Sequence, residues 1–467
     1  MSPLATAGPP ESEAVAPQNK PKIWAVGTLR YDKRQLIVVF FWLMWNDFSF
    51  ILIEKITGLN AVLMRNHGAT FTQMALLGSI GGIITPWINP WVSTWSDRHR
   101  GKHGRRRPFL FFATPFFAFF LALSPYMPTF YHYLLRYPFM AALAPHLPMN
   151  GPVLFLGVCG LVAGLFNAVF LAIFSYLYWD VVPDEVQGRF RGLSGTVTTL
   201  AGLVWSFFIY GIADRHMREV YVGTGIFALG IYLLSVWQIK EGEYPPPDVH
   251  KKGGVFAPIR AYFTECFTES YYIWIFAATF FCQLGNKGND YQFFYLYNDL
   301  HMNLATLGWK DGWSSSYMTG FGLLFGFVVG SLTDRLKPVR LMAPLTGLMA
   351  LINLASFFFI HDKWTCLIQA CFMGMTGFAL GTAMGAYTIE VFPREKIGQF
   401  CSAQAVFYQF GLNFINPFIG MFFDYVKFNR LGYVWAGTFQ MIGAAIYVKI
   451  YFNWKHRHGQ IPVPHAG

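Results

Sequence analysis

Twelve stretches of this chain are long and apolar enough to cross a lipid bilayer, and no other feature narrows the fold as far. They cover residues 35–56, 73–91, 109–127, 153–181, 192–212, 220–237, 271–297, 313–332, 341–360, 365–391, 400–423 and 431–452. A hydrocarbon core takes about 20 helical residues to span. Lipid offers no hydrogen bonds to an exposed backbone, so runs of this length fold as helices. Composition agrees: 54% of the 467 residues are hydrophobic and 13% charged, where soluble domains carry about 25% charged residues. The expected fold class is an all-α membrane protein of twelve transmembrane helices. A single soluble core is excluded.

The second half of the chain echoes the first. Asp180, Pro183, Gly188 and Phe190 return as Glu390, Pro393, Gly398 and Phe400, each displaced by 210 positions, and Asp214 and Asp424 keep that displacement. Ser96-Asp97-Arg98 after the second run likewise returns as Thr333-Asp334-Arg335 after the eighth. A repeated membrane unit points to two bundles that face each other and move a solute between them. The expected organisation is an irregular cytoplasmic tail (1–34), a six-helix bundle (35–238), a cytoplasmic linker (239–265), a second six-helix bundle (266–454) and a cytoplasmic tail (455–467). The linker is marked by Glu-Gly-Glu-Tyr-Pro-Pro-Pro, and the Pro- and His-bearing stretch 128–152 takes up most of the extra length of the first half.

A formal net charge of +11 raises the question of nucleic acid. The distribution of charge answers it. With both termini on one side, 25 of the 35 Lys and Arg residues fall on that side, which is the positive-inside pattern of cytoplasmic loops. The expected partners are therefore a bilayer and a small solute, with no nucleic acid, for a monomer. Compact loops and short tails suggest a bacterial plasma membrane. Cys159, Cys266, Cys282, Cys366, Cys371 and Cys401 lack paired metal-ligand spacing, so neither metal nor cofactor is expected. No nucleotide-binding loop, His-Glu-x-x-His or nucleophile elbow occurs. Enzymatic turnover and ATP-driven transport are not expected.

Ionisable side chains at bilayer depth are costly and mark functional sites. The first run holds Trp45-Asn46-Asp47, with Glu54 seven residues on and so on the same helix face. A carboxylate facing a wet cavity can alternate between charged and neutral states, which proton coupling requires. Carboxylate and amide oxygens would equally suit sodium. The seventh run reads Gln283-Leu-Gly285-Asn286-Lys287-Gly288-Asn289-Asp290, where two glycines among polar groups predict a helix interrupted beside a cavity. Asp290 is a second candidate for coupling, or a solute ligand. Lys287, three residues before it, could instead pair with it. The eleventh run places Gln409, Asn413 and Asn416 on one face after Tyr408, and Asn167 stands alone in the fourth. Amides beside aromatic rings suit a sugar, since amides bond hydroxyls while rings cover the C–H face. Amide bonds between helices are the simpler use of any one of them. A membrane receptor or lipid-handling scaffold is the alternative from another class, but it has no need of carboxylates at this depth.

Ser96-Asp97-Arg98 followed by Gly104-Arg105-Arg106-Arg107-Pro108-Phe109 resembles the signature after the second helix of major facilitator transporters. The spacing and the Arg-Arg-Arg-Pro-Phe segment are most similar to sucrose:proton symporters, near the glycoside–pentoside–hexuronide cation symporters. The chain departs from the pattern in two respects: Ser93 stands four residues before Asp97, where Gly330 precedes Asp334, and the second copy lacks the Arg triplet. The resemblance implies a sugar or glycoside symporter working by alternating access, proton-coupled in preference to sodium, with Asp97 in a cytoplasmic gate. Charge-assisted bonds can join loop acids to loop arginines when two bundles approach. The candidate gate is Asp97, Arg98, Arg105, Arg106, Asp180 and Arg189 with Asp334, Arg335, Glu390 and Arg394.

Overall fold

A computed structural model of the chain describes residues 23–99, 101, 104–242 and 265–459, except the side chains of 89, 90, 93, 94, 97, 98, 395, 458 and 459. Twelve of its helices reach 17 residues or more. In the first half these are α1 (Lys33–Gly58), α2 (Phe71–Arg98), α3 (Arg107–Leu123), α4 (Gly151–Val181), α5 (Gln187–Val204) and α6 (Met217–Gln238). The second half has α7 (Ser270–Asn286), α8 (Leu304–Leu336), α9 (Pro338–Phe359), α10 (Lys363–Val391), α11 (Ile397–Val426) and α12 (Leu431–Gly459). Ten of the helical segments are long and apolar enough to cross a membrane. The exceptions contain α7, which is broken at Lys287 and resumes as Gly288–Phe294, and α11, whose length carries five Gln and Asn residues.

Local chemistry fixes where these helices start. Asp32 and Thr70 form capping boxes with Gln35 and Gln73 at the heads of α1 and α2, and Asp362 does so with Thr365 at α10. Pro108, Pro152 and Pro338 stand in the first turns of α3, α4 and α9, where a missing N–H costs nothing. Two starts differ from the sequence expectation. Asn303 accepts from the Thr306 amide, so α8 begins at Leu304, about three turns ahead of its apolar run, and takes in Lys310 and Asp311. Residues Trp24–Val26 and Leu29–Tyr31, expected within an irregular tail, pair as a hairpin whose turn is opened by Gly27 at φ +53.

Two large buried clusters organise the halves. One fills the first bundle, with Phe117, Phe170, Tyr221 and Tyr232 enclosed, and runs on into Tyr295, Leu304, Leu307 and Tyr433 of the second half. The second bundle is organised around Phe276, Tyr387, Tyr447 and Ile450. The halves meet along two seams, α2 against α11 and the end of α5 against the head of α8. Backbones come close along both. A Cβ on Gly420 would lie 2.7 Å from the Phe71 carbonyl, and one on Gly308 would lie 2.4 Å from the Ser206 carbonyl. Beyond Gly320, toward the side of the chain ends, α8 is largely exposed, with Phe327 at 88%.

Candidate functional site

Between the halves lies a cavity of about 590 Å³, formed by the end of α1, the first half of α2, the end of α5 and the region around the α7 break. Its polar lining is ionic more than amidic: Glu54, Lys55, Lys287, Asp290 and Asp311, with Asn289 and Asn416. Asp311 pairs with Lys310 at 2.8 Å. Neither Lys287 nor Asp290 makes an ion pair among the described residues, so the internal Lys287–Asp290 pair that their spacing permits is not formed. Aromatic walls come from Phe71, Trp205, Tyr210, Tyr291 and Phe294.

The α7 break is held against α12 by close backbone contact. A Cβ on Gly288 would sit 2.5 Å from the Gly432 carbonyl, and one on Gly432 would sit 2.8 Å from that of Gly288. The glycines thus serve close packing as well as the interruption read from sequence. Gly288→Ala is expected to cost about 1–3 kcal/mol, the range for overpacking a filled site. Thermal unfolding of the purified protein checks this, and an unchanged midpoint would show that the two backbones can separate freely.

Asp47 lies apart from the cavity, inside the first bundle. It accepts hydrogen bonds from the hydroxyls of Tyr178 on α4 and Ser194 on α5. All three line a smaller pocket of about 190 Å³ that also includes Gln187 and Arg191, at the ends of α4 and α5 nearest the termini.

The other expected solute ligands are dispersed. Asn46 is 1% exposed and donates to the Trp42 carbonyl at 2.7 Å, while Trp45 packs against Phe48 and Phe227. Asn167 sits in α4 with its carbonyl oxygen buried. Asn416 donates to the Ala75 carbonyl (3.1 Å) while lining the cavity, and Asn413 presses on Gly82, so both amides help form the α2–α11 seam and Asn416 also faces the cavity. Tyr408 packs in an aromatic cluster and Gln409 is exposed. Gln283 and Asn286 bond each other at 3.1 Å and lead into a chain of amides with Gln440, Asn353 and Gln292. Asn353 and Gln440 are each the one amide of an otherwise apolar run and Gln292 follows the polar segment of its own, and sequence reading passed over all three.

On the side of the termini, Asp180 takes Arg105 (3.1 Å) and Arg106 (2.5 Å). Glu241 accepts from the amides of Arg105, Arg106 and Arg107 at 2.8–3.0 Å, capping the head of α3. Both contacts stay within the first half. In the second half, Lys396 bonds Glu265 at 2.9 Å, and with the Gln399 amide holds that carboxyl below its ordinary range. Arg189, Asp334, Arg335 and Arg394 are exposed, and Glu390 ends α10. The side chains of Asp97 and Arg98 lie outside the described residues.

Two further contacts between the halves, among the described residues, lie on the opposite side. Asp424, at the end of α11, accepts from the amides of Phe71 and Thr72 (both 2.8 Å) and from the Thr72 hydroxyl (2.6 Å), capping the head of α2. Asp214, after the end of α5, accepts from the Leu304 amide at the head of α8 (3.4 Å). The repeated aspartates therefore perform the same act crosswise, each capping a helix of the other half.

Comparison with known proteins places this geometry. The sequence profile of the Major Facilitator Superfamily matches residues 36–414 and 275–453. No curated protein matches the chain. Solved structures similar to it include a bacterial homolog of the human lysosomal transporter Spinster, inward-facing and unoccupied, at 13% identity and TM-score 0.63, covering 91% of this chain and 99% of that one. The nucleoside transporter NupG aligns at 13% identity and TM-score 0.61 over 90% and 99%. The xylose transporter XylE from E. coli, inward open, aligns at 14% identity and TM-score 0.58 over 89% and 95%.

Proposed function

The chain belongs to the Major Facilitator Superfamily and is an integral, multi-pass membrane transporter; from that premise we propose that it moves a sugar or glycoside together with a proton by alternating access. In this reading twelve helices span a bacterial plasma membrane, both termini are cytoplasmic, and the protein acts as a monomer. One observation carries the proposal. A cavity between two bundles, with carboxylates Glu54 and Asp290 at membrane depth, is sealed on the side away from the termini by Asp424 and Asp214. A closed seam on one side, above a cavity that both halves line, is the geometry a rocking carrier needs. Asp47, held near the terminal side, is the proposed proton carrier, and the cavity groups with Asn289 and Asn416 are the proposed solute ligands.

The sugar reading draws on the Arg-Arg-Arg-Pro-Phe segment. It also draws on a structural neighbour described as a D-xylose-proton symporter, 14% identical with TM-score 0.56. The test is uptake of radiolabelled sucrose into proteoliposomes under an imposed pH gradient, beside a sodium gradient. Accumulation driven by the pH gradient alone is expected. Accumulation only with sodium would replace the proton in this reading, and failure of sucrose and other sugars under both gradients would overturn symport of a sugar.

A further inference from the structure

The amide chain closes a loop around the α7 break. Before the break, Asn286 donates to Gln283 (3.1 Å) and accepts from Gln440 of α12 (3.1 Å). Gln440 in turn accepts from Asn353 of α9 (3.0 Å). After the break, Gln292 donates to Asn353 (3.3 Å) and to the Gly432 carbonyl (3.3 Å). The two α7 segments are thus tied to each other through two neighbouring helices. Asn353 is fully buried, Gln440 3% exposed and Gln292 9% exposed. Buried amides bonded to one another favour one geometry, because displacing any member leaves its neighbours unsatisfied.

What the loop encloses is the segment that reaches the cavity. Lys287, Asn289 and Asp290 line it, whereas Gln440 and Asn353 do not. Lys287 keeps helical dihedrals at the break, and Gly288 after it lies against the Gly432 carbonyl. Close backbone packing sets the distance between α7 and α12. It sets no rotation about the helix axis, and rotation decides which side chains face the cavity. Directional amide bonds supply that choice.

We propose that Gln440 and Asn353 are positioning residues of the transport site, fixing the rotation of the α7 break so that Lys287, Asn289 and Asp290 face the solute. The proposal rests on the transport reading only for the identity of what enters the cavity. It is tested on the full chain in proteoliposomes carrying Asn289→Cys, by the rate of modification with a small cationic methanethiosulfonate reagent, corrected for the native cysteines. Gln440→Leu and Asn353→Leu are expected to slow modification about tenfold at a temperature where the protein is folded, with the melting midpoint lowered by the amides left unsatisfied. Gln440→Glu, which as a neutral carboxyl keeps an O–H for Asn286 and an oxygen for Asn353, is expected to stay within about threefold of the parent. Gln440→Ser, too short to reach Asn286, is expected to slow modification about tenfold as the leucine variants do, and replaces them should they fail to fold. Unchanged modification rates, or a loss that Gln440→Glu shares, would overturn the proposal. Failure of sucrose uptake by the wild type would instead overturn the transport reading, and the labelling result would stand.

Discussion

Asp424→Ala is expected to release the seam on the side opposite the termini and to populate a state open there. Asp424 satisfies two of the first-turn amides of α2 and the Thr72 hydroxyl, while Thr70 takes the Gln73 amide. Hydrogen bonds to a charged group contribute about 1.5–3 kcal/mol each when solvent is excluded. In an open state the same groups are hydrated, so the net preference for closure is smaller than their sum. Taking about 2 kcal/mol as the difference, removal shifts the equilibrium about 30-fold toward the open state. Spin labels at His132 and Lys363, which stand on that side in different halves, report the separation by double electron–electron resonance. A distance distribution identical to that of the parent would sink the latch.

The crosswise partner makes the argument sharper. Asp214 offers the same chemistry at 3.4 Å to a single amide, near the limit of useful hydrogen-bond geometry. Asp214→Ala should therefore move the same distance distribution by less than about threefold. Equal effects from the two alanine variants would mean that the seam is held by packing at Gly420 and Gly308, not by the carboxylates. The asymmetry also says where motion begins. The α5–α8 seam, with the weaker cap, is the one expected to part first.

These contacts show how far the sequence could be read. Apolar runs located the helices because burial in lipid acts on every residue of a span, so each run carries many independent copies of one signal. The head of α8 was missed because Leu304–Asp311 mixes charge with apolar residues, and the Lys310–Asp311 pair that makes those charges tolerable forms only in the folded helix. The displacement of 210 found Asp214 and Asp424 but not their partners, since a cap across two halves leaves no spacing in either. The same holds for Asn353 and Gln440, each a single amide in an apolar run until packing brings three helices together around Gln292. The arginine loop was read as able to engage Asp180, and among its described bonds are those from Arg105 and Arg106 to Asp180 and from three loop amides to Glu241, which brace α3 against α4 and the end of α6.

Asp47→Asn is expected to separate solute movement from the proton gradient. Asp47 is a carboxylate within a spanning helix, bonded by two hydroxyls from α4 and α5, and its pocket lies toward the termini and away from the central cavity. That placement suits a group that exchanges a proton with one side of the membrane without touching the solute. A one-unit pH difference is worth 1.36 kcal/mol per proton. One proton per sugar thus sustains about tenfold accumulation of sucrose in proteoliposomes, and an uncoupled carrier sustains about none. For Asp47→Asn the accumulation ratio should fall to about one, while counterflow exchange of labelled for unlabelled sucrose, which needs no net proton movement, continues. Asp290→Asn should behave differently, because Asp290 lines the solute cavity; both accumulation and exchange should drop together. If Asp47→Asn accumulates sucrose as the parent does, the proton is carried elsewhere. If Asp290→Asn loses accumulation and keeps exchange, Asp290 is the carrier and the roles of the two aspartates are reversed.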